Sequence, residues 1–103
     1  VIKVINEKKL ADMVIRMDAM HPNDPAIESC WEQMVDEFND EQDTINYLNS
    51  CSEKEIYWIS SVFDDLAYKF PSKTYVDCIK QLAKKFPKVD MALEIKIAES
   101  YIS

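Results

Sequence analysis

Apolar residues recur at helical intervals through most of this chain, and the pattern is densest between Ser52 and Phe70. Read at about 100° per residue, Ile56, Ile59, Val62, Phe63, Leu66 and Phe70 fall on one broad stripe, the arrangement of a helix that buries a face. Ser52 followed by Glu55 supplies a capping box, in which the hydroxyl accepts from the N3 amide and the carboxylate reaches back to the serine N–H. The spacing therefore predicts a helix starting at Ser52. Tyr57, Ser61, Asp64 and Tyr68 lie opposite the stripe, an outward face with more aromatic surface than water alone requires.

The same reading extends in both directions. Val1 to Ile5 is a short β-branched tail, after which Asn6 caps a first helix to about Met20, with Leu10, Met13, Val14 and Met17 inward. His21 to Pro25 breaks it. Asp24 before Pro25 starts a second helix whose buried face is Ile27, Cys30, Trp31, Met34, Val35 and Phe38, and whose outer face is acidic: Glu28, Glu32, Asp36 and Glu37. Asn39 to Glu41 interrupts, and a shorter third helix with Ile45 and Leu48 ends near Asn49 to Cys51. Pro71 ends the central helix, and Ser72 caps a fifth with Tyr75, Ile79, Leu82 and Phe86 inward. Pro87 stops that one. Asp90 caps a last helix, with Met91, Ile95, Ala98 and Ile102 inward and Leu93 and Ile97 beside them. Short breaks between elements predict an all-α bundle of about six helices packed mostly antiparallel, with stacked helical hairpins as a variant.

Composition strengthens this. The chain has 103 residues, one domain's worth, and no glycine, which disfavours hairpin-rich sheets and glycine-loop nucleotide sites. Charge is unevenly placed: from Asp24 to Asp65 there are twelve acids and one lysine, whereas the flanks carry seven acids and eleven bases. Such a middle repels nucleic acid and anionic membrane and attracts a basic protein; the plainer alternative is a set of solvated helix faces. The three cysteines are dispersed, with no CxxC spacing, and fit reduced thiols in a cytoplasmic protein. No run approaches the roughly 20 apolar residues of a membrane span. No signal-peptide layout opens the chain. The first residue is Val rather than Met, which fits loss or removal of preceding residues.

Reactive constellations are weak. His21 is the single histidine, and Asp18-x-x-His21 has no second carboxylate-x-x-His to build a di-metal site. The cysteines fall on or beside apolar faces, where the usual role is a small buried hydrophobe. Asp36 to Glu41 lacks the register and glycine of a calcium loop, and Asp64 and Asp65 diverge by about 100° on a helix. The lysines of the fifth helix alternate with Asp77 and read as a solvated face, while Trp31, Met34 and Phe38 read as core. Neither a metal, a cofactor nor a catalytic residue is expected.

The segment CSEKEIYWISSVFDDLAYKFPSKTYVDCIKQLAKKFP, through its capped helix, the restart at Ser72 to Cys78 and its Lys-Phe-Pro stop, resembles small helical immunity proteins of bacterial polymorphic toxin systems of the contact-dependent growth inhibition type. The resemblance covers roughly the C-terminal half. It implies a non-enzymatic protein that binds a cognate toxin domain in the cytoplasm of the producing cell and blocks its active site or substrate surface. An acidic partner suits a basic, nuclease-type toxin. On this reading Glu32, Asp36, Asp40, Glu41 and Asp43 supply charge complementarity, and Tyr57, Ser61, Asp64 and Tyr68 form an adjoining patch unless the N-terminal helices cover the tyrosines. No direct contact with nucleic acid or membrane is expected. The alternative is a helical adaptor or regulatory subunit that holds an amphipathic peptide of a partner.

Overall fold

The computed structural model describes residues 5–21 and 23–102, so most of the predicted N-terminal tail lies outside the described residues, and Ile5 is buried. The described residues form helices α1 (Glu7–Ala19), α2 (Ala26–Glu37), α3 (Glu41–Ser50), α4 (Glu53–Ile59), α5 (Phe63–Lys69), α6 (Lys73–Lys85) and α7 (Ala92–Ser100), and no strand. A 3₁₀ turn, Ser60–Val62, joins α4 directly to α5, so these two are arms of one element and the fold is an all-α bundle of six helical elements. Its radius of gyration, 13.0 Å, is that of compact packing at this length.

The 3₁₀ turn follows from the sequence. Ile56, Ile59 and Val62 are spaced by three, and they share a face most closely where the winding tightens to three residues per turn. The Ser60 hydroxyl donates to the Tyr57 carbonyl at 2.8 Å, a local bond that competes with regular helix geometry. All three apolar residues are buried as a result, as are Phe63 and Leu66 beyond the turn.

Helix ends obey local chemistry. Asn6, Asp40, Ser52 and Ser72 each accept from the amide three residues on, and both halves of the Ser52–Glu55 capping box are present. Asp24 and Asp90 accept instead from the amides of Ala26 and Ala92, two residues on, so α2 and α7 begin slightly later than the expected caps. Phe70 and Phe86, each before a proline, leave helical geometry with nearly the same dihedrals (φ −126°, ψ 71° and φ −124°, ψ 71°), because proline disfavours helical backbone in the residue before it.

The central element holds the bundle together: α4 packs on α1, the 3₁₀ turn on α2, and α5 on α7, while α3 and α7 each lie against α6. Tyr75 and Phe63 are fully buried, with the Tyr75 hydroxyl donating to the Phe63 carbonyl at 2.8 Å. In α7 the expected inward set holds only in part. Met91 and Ala98 are buried and Ile95 and Ile97 half-buried, but Leu93 is 64% and Ile102 39% exposed. Ile102 lies past the end of α7, which closes at Ser100.

Candidate functional site

Three of the four acids expected outside α2 do face water. Glu28, Glu32 and Asp36 follow at intervals of four and are exposed, and none of them is in an ion pair of the described residues. Helix α2 contains no basic residue, so this row repels itself at a cost of about 0.2–0.5 kcal/mol per pair. Asp36 also sits at the helix end where negative charge is unfavourable. There Lys69 of α5 donates to the Val35 carbonyl at 2.9 Å.

Glu37 is the correction. It is 7% exposed, accepts the Asn6 N–H at 3.1 Å and stands 3.4 Å from the Lys9 ammonium. It continues the buried line of Cys30 and Met34, which packs toward α1, and its charge is answered there.

The acids after α2 have structural duties. Asp40 caps α3 by accepting the Asp43 N–H at 2.9 Å. Half-buried Glu41 accepts the Ser72 hydroxyl and so ties the start of α3 to the start of α6. Asp43, also half-buried, lines a cleft of about 260 Å³ with Ile5, Glu7, Asn46, Tyr47 and Ser50. All three lie in or beside the first turn of α3, where the helix field favours carboxylates.

The outward face of the central element is open, and the N-terminal helices do not cover its tyrosines. Tyr57 is 58% and Tyr68 76% exposed, Ser61 is exposed and Asp64 half-buried. They divide into two places. Tyr57 and Ser61 line a groove of about 330 Å³ with Ile27 and Trp31 of α2, Trp58 and Ser60. Tyr68 instead meets Tyr101 edge to face, ring centres 6.0 Å apart.

Sequence reasoning missed the two tryptophans of the groove. Trp31, expected in the core, is only partly buried, and its indole N–H is out of solvent with no acceptor among the described residues. Trp58 meets Tyr57 edge to face at 5.4 Å, and its N–H donates to Asp18 at 3.3 Å. Lys54 reaches the same carboxylate at 3.1 Å, and these two bonds hold Asp18 below the usual carboxylate range. Tyr57 and Trp58 also line a second groove, about 270 Å³, with Asp18, Glu53, Lys54 and Lys88.

Among the described residues no three His, Cys, Asp or Glu converge to hold a metal. Cys30, Cys51 and Cys78 are buried free thiols. Burial, with help from Glu55, pushes Cys51 up to about 12, and burial pushes Cys78 up to about 11, so both are protonated at neutral pH. His21 is exposed and accepts the Asn23 N–H through Nδ1 at 3.1 Å. Burial and then Asp64 raise the Asp65 carboxyl, without a third group beside them to make a site. The lysine row of α6 is broken by pairs: Lys73 with Asp77 at 3.0 Å and Lys80 with Glu99 at 2.9 Å. No helix of the described residues is long and apolar enough to cross a membrane.

What the surface offers is an unpaired acidic row on α2 and, on the same helix, one wall of an aromatic groove. Compared with known proteins, the chain matches no family model, and neither a curated protein nor a solved structure is found to be similar to it.

Proposed function

We propose that this protein is an immunity protein that binds a basic, nuclease-type toxin domain in the cytoplasm of the producing cell and neutralises it by steric and electrostatic blocking. The observation that carries the reading is the self-repelling row Glu28, Glu32 and Asp36 on the helix that also contributes Ile27 and Trp31 to the groove of Tyr57. A row that costs stability and forms no ion pair among the described residues is best accounted for by a cationic partner. Its field speeds encounter. Aromatic side chains in a groove then supply contacts that slow dissociation. The segment from Cys51 to Pro87, which resembles immunity proteins, provides the Tyr57 and Trp58 wall.

The test is co-expression with the toxin encoded by the neighbouring upstream reading frame. Wild-type protein rescues growth, and replacement of Glu28, Glu32 and Asp36 by lysine abolishes rescue while the protein stays folded. Full rescue by the triple variant removes the electrostatic part, and failure of the wild type to rescue or to bind removes the reading. A second reading, an adaptor for an amphipathic peptide, is favoured by one feature: Ile27 and the three aromatics give the groove an apolar lining suited to a helix side chain. An adaptor would rescue no toxin.

A further inference from the structure

We infer that the groove between α2 and α4 is a receptor for an arginine side chain of the partner. The inference rests on the immunity reading and names the chemistry by which the partner is held. Trp31, Tyr57 and Trp58 line the groove, and the Tyr57 and Trp58 rings meet at 88°, offering ring surfaces in two directions. The face of an indole or phenol attracts a cation, the more so when water is displaced.

Both helices that form the groove carry a carboxylate close by in sequence. Glu28 lies one turn from Trp31 on the exposed side of α2, and Glu53 lies one turn before Tyr57 on α4 and lines the adjoining groove. Among the described residues the groove itself is lined by no lysine or arginine, and the adjoining groove, which holds Glu53, also holds Lys88 and the Lys54 that pairs with Asp18. A cation thus meets aromatic faces and no like charge within the groove, with Glu28 of α2, unpaired among the described residues, one turn from Trp31. The other carboxylate of this region, Asp18, is already engaged by Lys54 and the Trp58 N–H, so the acids left for an incoming charge are Glu28 and Glu53.

Guanidinium fits better than ammonium. It is planar, stacks on rings and is weakly hydrated, so entering the groove costs it less than it costs lysine. The hydroxyl of Ser61 is an exposed acceptor at the same groove. The buried Trp31 N–H is a donor still lacking an acceptor, which a carbonyl of the bound segment can supply after a small side-chain shift.

The chain has two tryptophans and both line this groove, so intrinsic fluorescence reports on it directly. The test titrates the full chain with three blocked hexapeptides: hexa-arginine, hexa-lysine of equal charge, and hexa-citrulline, a neutral analogue of arginine's shape. Hexa-arginine should shift the emission and saturate, hexa-lysine should bind several-fold more weakly, and hexa-citrulline should not bind. Tyr57→Ala, at a mostly exposed position where folding is retained, should weaken hexa-arginine about fivefold and bring the two cationic peptides level. The joint Glu28→Gln and Glu53→Gln variant should weaken both cationic peptides and flatten their salt dependence. Equal binding of the arginine and lysine peptides to wild type, an emission that does not move, or an unchanged arginine affinity in Tyr57→Ala overturns the inference. Any of these beside intact toxin rescue leaves the immunity role standing without the arginine receptor. Arginine binding without rescue keeps the receptor and removes the immunity role.

Discussion

The backbone N–H of Asn6 donates to Oε1 of Glu37 at 3.1 Å, fastening the first turn of α1 to the last turn of α2. Lys9 stands 3.4 Å from the other carboxylate oxygen, and it is half exposed where Glu37 is not. The bond to the amide therefore matters more than the ion pair, since a pair with one partner in water contributes little. Glu37→Ala should destabilise the protein by roughly 1–3 kcal/mol in urea denaturation, because it strips a partly buried amide of its acceptor. Glu37→Gln, which keeps an acceptor oxygen, should lose clearly less, and Lys9→Met less again. Equal losses in all three variants would assign the stability to charge instead.

Glu32 has a like charge one turn to either side, Glu28 and Asp36. Reversing it turns two repulsive neighbours into two favourable ones, with Glu28 placed N-terminal to the new cation, the better orientation. Glu32→Lys should thus raise stability by roughly 0.5–1 kcal/mol while weakening toxin binding and flattening its salt dependence. A gain in stability coupled to a loss of function is the mark of a residue kept for binding. A destabilised variant, or one with undiminished affinity, would contradict the role of the acidic row.

Much of this fold is legible because helix signals are local. Ser52 with Glu55, Asn6 and Ser72 sit where their caps form, and Phe70 and Phe86 stop where the following proline requires. The face that a residue presents is less local. Asp36 and Glu37 differ by one position, and only the place of α1 decides that one is exposed and the other buried. In α7 the apolar residues Leu93, Ile95 and Ile97 alternate, so a period of 3.6 gives no single stripe, and Leu93 is left in water. The candidate groove was half legible: Tyr57 and Ser61 belong to the predicted outward face, but their meeting with Trp31 depends on α2 packing against the 3₁₀ turn. No short-range pattern encodes that contact. Tyr68 parts from them to join Tyr101 for the same reason.

Tyr75 contributes a hydroxyl to a fully apolar setting and satisfies it on the Phe63 carbonyl at 2.8 Å. The bond joins α6 to the start of α5, directly after the 3₁₀ turn. Tyr75→Phe should cost roughly 0.5–1.5 kcal/mol, as the Phe63 carbonyl, which begins helix α5, loses its second donor, with little change in the far-ultraviolet circular dichroism. Tyr68→Phe is the control, since Tyr68 is 76% exposed and should leave the unfolding midpoint in place. A neutral Tyr75→Phe would mean that the helical amide alone satisfies the carbonyl.

The buried acids of the core set the alkaline limit. Cys51 rises to about 12 and Cys78 to about 11 from an ordinary 9.0, and burial moves the phenols of Tyr47 and Tyr75 in the same direction. Each group releases its proton at lower pH when unfolded than when folded, so the unfolded state binds fewer protons above about pH 9, and stability falls there as pH rises. The contribution is whole below the unfolded value and is lost progressively toward the folded one. Urea midpoints should accordingly hold level between about pH 6 and 8.5 and decline from about pH 9 to 12. Asp18 acts on the other side: held low by Lys54 and Trp58, it contributes above the ordinary 3.8 and loses its contribution as pH falls through its lowered folded value. Cys51→Ala should shallow the alkaline decline, whatever it does to the midpoint at pH 7. Native Cys51 and Cys78 should react with a disulfide reagent at pH 8 far more slowly than in the urea-unfolded chain, because burial suppresses both thiolate and access. Rapid native labelling of Cys51, or an alkaline decline unchanged in Cys51→Ala, would show that its thiol is not held protonated in the core.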